Sequence, residues 1–262
     1  MTPKEGEEFP WWLVILGVVG LWLFYQVWVS EIYSQVMRSL VAGIEVTVAV
    51  TLIAYGMACA MGLGLALAGM SRFGVLRQAA RLWIEVIRGV PIMVLLLYVA
   101  FVLSPALVWA WNRVGGGLGL APVSSRDFPL IARAVLALTL AYSAFLAEVF
   151  RAGLQAVDKG QIEAAMSLGL SGWQRFRHIV FPQALRMILP PLGNDFVAMV
   201  KDSSLVSILG VADITQLGKV MAAGNFRYFE TYNMVALLYL VMTIGLSIGL
   251  RRVERRLRMR EK

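Results

Sequence analysis

The sequence holds one cysteine, Cys59, one histidine, His178, and few charges: Asp, Glu, Lys and Arg make up 15% of 262 residues. A single cysteine excludes an intrachain disulfide. Because Cys59 lies inside an apolar run, it reads as a small buried side chain that says nothing about redox compartment. No H-E-x-x-H pair and no G-x-x-x-x-G-K-[ST] phosphate loop occurs, so the chain neither hydrolyses peptides through zinc nor binds ATP by itself. No cofactor and no metal is expected in this chain. Repeats of 20 to 50 residues and low-complexity segments are absent by inspection.

What the chain has is apolar surface. Apolar residues make up 59% of it and the mean hydropathy is +0.73. Several uninterrupted runs reach the ~20 residues that a membrane-crossing helix needs. The expected fold is all-α and polytopic, with spans at 10–29, 39–69, 87–110, 129–150, 183–204 and 232–250. The first run could be mistaken for a signal peptide. It exceeds an ordinary apolar signal region, its leader sets Lys4 against Glu5, Glu7 and Glu8, and no small-x-small cleavage site follows. A retained helix with Trp11, Trp12 and Trp28 near its ends, at headgroup level, is the better reading.

The net charge of +8 could point to nucleic acid, but its distribution points to topology. Segment 71–88 carries Arg72, Arg77, Arg81 and Arg88, segment 151–186 carries five basic residues, and the tail "RRVERRLRMREK" carries seven. With Lys4, 17 of the 24 basic residues fall on one side, which places both termini in the cytoplasm. The tail then reads as an anchor attracted to anionic lipid, and no nucleic-acid partner is expected. Segment 111–128, rich in glycine, proline and serine, reads as an exterior loop.

One cytoplasmic stretch, "KGQIEAAMSLGLSGWQRFRHIVFPQAL" at 159–185, reads as ordinary water-facing helix. Ile162, Ala165, Met166 and Gly169 fall at i, i+3, i+4 and i+7, giving one narrow, small, apolar face that can lie close against another protein. Gly169 suits a left-handed helix end, and Ser171 with Gln174 has capping-box spacing. Pro182 disfavours helical geometry at Phe181 and suits the start of the next span. By local pattern alone this is a solvated helical hairpin between two spans.

"EAAMSLG" at 163–169, followed nine residues later by "IVFP" at 179–182, resembles the EAA signature of permease subunits of bacterial ATP-binding-cassette (ABC) importers. Phe181 replaces the leucine of that signature, an apolar exchange. The wider likeness is to polar amino-acid importer permeases, through "EVIRGVPIMVLLLYVAF" at 85–101, "FLAEVFRAGLQAVDKGQIEAA" at 145–165, "FPQALRMILPPLGNDF" at 181–196 and "KDSSLVSILGVADI" at 201–214. It covers about residues 40–256. The resemblance implies a type I ABC importer permease fold. Residues 1–38 would then be a tail and an extra transmembrane helix, 39–250 the transmembrane domain with its coupling segment at 159–182, and 251–262 a basic tail. It implies a coupling helix, with Glu163, Ala164, Ala165 and Gly169, that docks into a groove on a separate ATPase subunit where ATP is used. It also implies a second permease copy or homologue, an extracytoplasmic solute-binding protein and an amino-acid substrate.

Ionisable groups inside a span cost roughly 2.5–3.5 kcal/mol each on insertion scales, so they face a partner or a wet cavity. Glu85 and Arg88, and Glu148 and Arg151, are three apart, so each pair can meet on one helix face. Glu148 lies deeper than Arg151 and is the candidate contact for a substrate ammonium. In "PPLGNDFVAMVKDSSL" at 190–205, Pro190 and Pro191 are expected to break the helix. Lys201, Asp202, Ser203 and Ser204 follow, a set that can hold both ends of a zwitterion or merely brace a helix end. Glu45 and Arg133 sit just inside their spans, where snorkelling suffices.

Three rivals remain. "GLSG" at 169–172 fits the serine motif of rhomboid-type intramembrane proteases, but His178 lies on the same arginine-rich segment rather than on another helix. An ion-coupled secondary transporter explains intramembrane carboxylates equally well, although it has no use for the coupling segment. A receptor or purely structural role ranks third.

Overall fold

The computed structural model describes residues 11–117 and 119–258, and every regular element among them is helical. Helix α1 spans Trp11–Val29, α2 Glu31–Gly69 and α3 Gly74–Gly89. Helix α4, Ile92–Tyr98, passes through a π-turn at Val99–Leu103 into α5, Ser104–Gly116. Helix α6 covers Leu130–Gln155, α7 Lys159–Ser167 and α8 Gly172–Arg175. A second π-turn, Phe176–Val180, leads into α9, Phe181–Asp202. A 3-10 turn at Ser203–Leu209 precedes α10, Ile214–Asn225, and α11 follows at Tyr228–Arg258.

Four segments are long and apolar enough to cross a membrane: α2, the α4–α5 run, α6 and α11. The segment Gly172–Leu209 with α10, bent by 48°, makes a fifth, broken span. Helix α1 is shorter; its 19 residues reach about 28 Å, close to a ~30 Å hydrocarbon core. Of the six expected spans, four to five are therefore long and apolar enough to cross a membrane, with shifted boundaries, and the first is a shorter apolar helix. Helix α2 starts eight residues before the expected 39, because Tyr33, Val36 and Leu40 form a buried stripe although Glu31 and Arg38 interrupt the hydropathy. The third span starts at Ile92 rather than 87, because Pro91 separates it from α3. Helix α3, expected only as a basic connection, packs Ala80, Ile84 and Ile87 inward.

Both π-turns end two residues before a proline. The Ser104 N–H reaches back to the Val99 carbonyl ahead of Pro105, and the Phe181 N–H reaches Phe176 ahead of Pro182. Each wider turn lets the helix continue around a residue with no N–H to donate. Phe181 therefore keeps helical geometry (φ −60°, ψ −47°), contrary to the expectation from Pro182. Pro190 and Pro191 also lie inside an unbroken α9. The discontinuity falls later, at Ser203–Leu209, where Gly210 takes φ +81°.

Two large apolar clusters hold the helices, with a smaller third around Val157, Ala184 and Ile188. One joins α2, α3, α4, α6 and α9 around Val50, Leu96, Leu138, Leu146 and Met199; the other joins α1, α2, α10 and α11 around Leu23, Leu40, Ile214 and Met234. Helix α2 meets the start of α10 at Gly43, where a Cβ would stand 2.5 Å from the Ile214 nitrogen and 2.7 Å from the Asp213 carbonyl carbon. Asp213 is fully buried there, accepting from the Gln216 N–H at 2.8 Å, the Thr215 N–H at 3.2 Å and the Tyr239 hydroxyl at 3.0 Å.

Candidate translocation and coupling sites

Helix α9 carries two carboxylates seven residues apart, Asp195 and Asp202, which fall on one face. The Tyr142 hydroxyl of α6 donates to Asp202 Oδ2 at 2.7 Å. Asp195, partly buried, has no hydrogen-bond or ion-pair partner among the described residues, yet lies close enough to Tyr55, Cys59 and Tyr142 to interact electrostatically with each. Tyr55 in turn donates to the Leu192 carbonyl at 2.6 Å, and its ring meets Phe196 edge-on at 5.1 Å. Two acids, two phenols and a thiol from α2, α6 and α9 thus share one region, with no basic group paired to either acid among the described residues. Such a cluster suits a ligand that brings its own positive charge.

The remaining residues expected near a substrate divide. Lys201 is exposed and forms no ion pair with Asp202, so a local brace is absent. Ser203 is buried and donates to the Val200 carbonyl at 2.7 Å, while the Ser204 carbonyl accepts from Ser207 Oγ at 2.7 Å. The hydroxyls of Ser203 and Ser207 thus hold the 3-10 turn in shape. Glu148 gives both carboxylate oxygens to Arg151, so its charge is paired on its own helix. Glu85 and Arg88 form no ion pair; Arg88 instead lies 5.9 Å from the Phe145 ring centroid. Arg133 does not snorkel. It donates to the carbonyls of Phe128 at 3.0 Å, Ala100 at 3.1 Å and Ser125, tying the 117–129 loop to the bundle.

Asp195 escaped the sequence reading although "GNDF" was in view. Its spacing to Asp202 is the signal that could have found it, since seven residues along one helix return to the same face.

The cytoplasmic segment is built as its local pattern suggests. Asp158 caps α7, accepting from the Gly160 N–H at 2.6 Å. At the other end Gly169 has φ +75°, the Leu170 N–H reaches the Ala165 carbonyl at 3.1 Å and the Gly169 N–H reaches Met166 at 2.9 Å, a complete Schellman end. Ser171 and Gln174 form the reciprocal capping box.

The faces of α7 are divided differently from the expectation. Ala165 is only 2% exposed, and Ile162 packs toward Val157, Ala184 and Ile188. Half of the stripe expected to meet a partner, Ile162 and Ala165, is therefore turned toward the protein, and Gln183 Nε2 at the base of α9 donates to Gln161 Oε1 at 2.6 Å; the other half, Met166 and Gly169, stays open. Glu163, Ala164, Met166, Leu168 and Gly169 are exposed, with Leu168 80% open. Nothing lies within 4 Å of the Cβ position at Gly169.

A bundle of membrane-length helices, a broken span beside paired acids and a rigid cytoplasmic helical elbow define an integral membrane transport subunit. Residues 60–259 match the family described as binding-protein-dependent transport system inner membrane component, and the chain belongs to it. The glutamine transport system permease protein GlnP of Escherichia coli (strain K12) is 38% identical over 223 residues, 84% of this chain and 93% of that protein. The probable amino-acid permease protein YxeN of Bacillus subtilis (strain 168) is 38% identical over 218 residues, 83% of this chain and 91% of that one. A crystal structure of an amino acid ABC transporter with histidines superposes with a TM-score of 0.70 at 37% identity, covering 84% of this chain and 94% of that one. The inward-facing MetNI methionine ABC transporter superposes at 0.63 with 20% identity over 84% and 97%, a likeness of fold.

The protein is accordingly a multi-pass inner-membrane permease subunit with the type I importer fold, and not itself the ATPase. Membership of the family implies an ATPase and a binding protein as partners in general terms.

Proposed function

We propose that this chain is the permease of an ATP-driven importer of amino acids. Its translocation pathway would run past Asp195, Asp202 and Tyr142, with Lys201, Ser203 and Ser204 at the break after α9. The observation that carries the reading is the pair of intramembrane acids with no basic partner among the described residues, beside a discontinuity in the helix. An amino acid offers the ammonium those acids lack, and exposed Lys201 offers a cation for its carboxylate. The names of the relatives support an amino-acid substrate.

In the same proposal, Glu163, Ala164 and Gly169 meet the ATPase, while Ala165 holds the contact in register from beneath. Both termini are cytoplasmic, in keeping with the basic segments 71–88, 151–186 and 251–262. The division into 1–38, 39–250 and 251–262 follows from that topology. Lys201 is exposed within a span, which favours a second permease copy or homologue against that surface, with the pathway at their junction.

The test is binding-protein-dependent uptake of labelled amino acids into vesicles holding the chain and its ATPase. Asp195→Asn and Asp202→Asn should each raise the KM or abolish uptake, whereas Glu148→Gln should leave the KM within about twofold, since that acid is already neutralised. Unchanged transport by both Asp variants would refute the pathway assignment.

A further inference from the structure

The corner between α1 and α2 lies ahead of the family-matched residues 60–259, and transport by the paired acids makes no use of it. Between Trp11 and Val29 there is no charged residue; Ser30, Glu31, Ser34 and Arg38 then follow. The corner is therefore the point where the chain passes from hydrocarbon to headgroups. An open cavity of about 400 Å³ lies there, lined by Val27, Trp28 and Val29 on the apolar side and by Ser30, Glu31, Ser34 and Arg38 on the polar side.

Two features give that cavity a ligand chemistry. Among the described residues Glu31 has no hydrogen-bond or ion-pair partner, and the Arg38 guanidinium donates only to Ser34 Oγ, at 3.1 Å. Being seven apart, they lie on one face of α2, about 10 Å apart along its axis. Their order also matters. Arg38 lies farther along the span and Glu31 nearer the boundary, so a cation is met at the rim and an anion one layer deeper. A zwitterionic phospholipid presents its charges in that order, with the amine outermost, the phosphate beneath it and the acyl chains beyond. Trp28, 89% exposed, supplies an amphipathic ring at the same level.

We propose that this corner is a seat for an amine-bearing phospholipid of the phosphatidylethanolamine type: phosphate on Arg38 and Ser34, ammonium on Glu31, and one acyl chain along the apolar surface of α1. The primary ammonium can donate hydrogen bonds to Glu31, which a trimethylated choline cannot, so the seat distinguishes two headgroups of equal charge. Helix α1 thereby has a use separate from transport: it closes one side of a lipid site that α2 alone would leave open.

The test uses the full chain in detergent micelles with dioleoyl phosphatidylethanolamine, phosphatidylcholine or phosphatidylglycerol added, read by native mass spectrometry and by melting temperature. The ethanolamine lipid should be retained as one molecule per chain, about tenfold more tightly than the other two, the factor expected for one charge-assisted hydrogen bond. Glu31→Gln and Arg38→Gln should each lower its retention to the phosphatidylcholine level, and Arg38→Lys should keep most of it, which separates lost binding from lost folding. Equal retention of all three lipids would overturn the proposal, as would loss of preference in none of the variants. Glycerophosphoethanolamine, the same headgroup without acyl chains, is the second arm: if it binds as tightly as the lipid, the ligand is a soluble phosphoester and the lipid assignment is wrong.

Discussion

Replacing Gly169 tests whether the elbow after α7 works as a rigid coupling element. The residue stands at φ +75°, and the open space around its Cβ position means that no clash accompanies a small side chain. The cost of Gly169→Ala is thus conformational, about 1–2 kcal/mol for an L-residue held in the left-handed region. Against a total stability of ~5–15 kcal/mol that leaves the fold intact, but it reduces the occupancy of the native turn by a factor of roughly 5–30. Two Schellman bonds depend on the turn, from Leu170 to Ala165 and from Gly169 to Met166, so its loss would release the outer face of α7 from its register over α9. Asparagine tolerates the left-handed region and should behave nearly as glycine does. The assay is ATPase stimulation by binding protein and amino acid in lipid vesicles. The expected order is glycine, then asparagine, then alanine, with Gly169→Trp abolishing stimulation because it adds bulk on the exposed side. Stimulation by Gly169→Trp equal to the parent would refute the reasoning, provided that melting temperatures match.

Ala165→Leu should cost about 1–3 kcal/mol by overpacking the buried side of α7, lowering the melting temperature and weakening coupling together, whereas Ala164→Leu, on the exposed side, should weaken coupling alone. Gly43→Ala should be among the most damaging single-methyl additions, since backbone atoms of Asp213 and Ile214 occupy the space; expression in the membrane and thermal melting would report it. Tyr142→Phe should raise the KM for substrate more than it alters stability, because it removes the hydroxyl that donates to the Asp202 carboxylate while keeping the ring; a melting shift with unchanged KM would assign Tyr142 to structure only.

The fold was legible because hydropathy runs and basic segments report membrane spans directly, and the two ends of α7 were legible because Gly169, Ser171 and Gln174 are local signals. Contacts between distant segments were not. Nothing near Ala165 in the chain announces that it is buried while Ala164 and Met166 on either side of it stay exposed. The prolines misled for a related reason: Pro182, Pro190 and Pro191 are helix breakers by local rule, yet a π-turn accommodates the first and α9 runs unbroken through the other two. Glu148 looked available because its sequence position is deep, while its charge is spent on Arg151; Asp195 lacks such a neighbour, and only the bundle brings Tyr55 and Tyr142 toward it.

The most direct test of the central claim is uptake of labelled amino acids into vesicles containing this chain, its ATPase and its binding protein, with ATP on the ATPase side or with only a proton or sodium gradient imposed. The account predicts uptake that requires ATP, the ATPase and the binding protein together, and that ignores the gradient. Uptake that follows the gradient with no ATPase present would contradict it and make the chain an ion-coupled transporter.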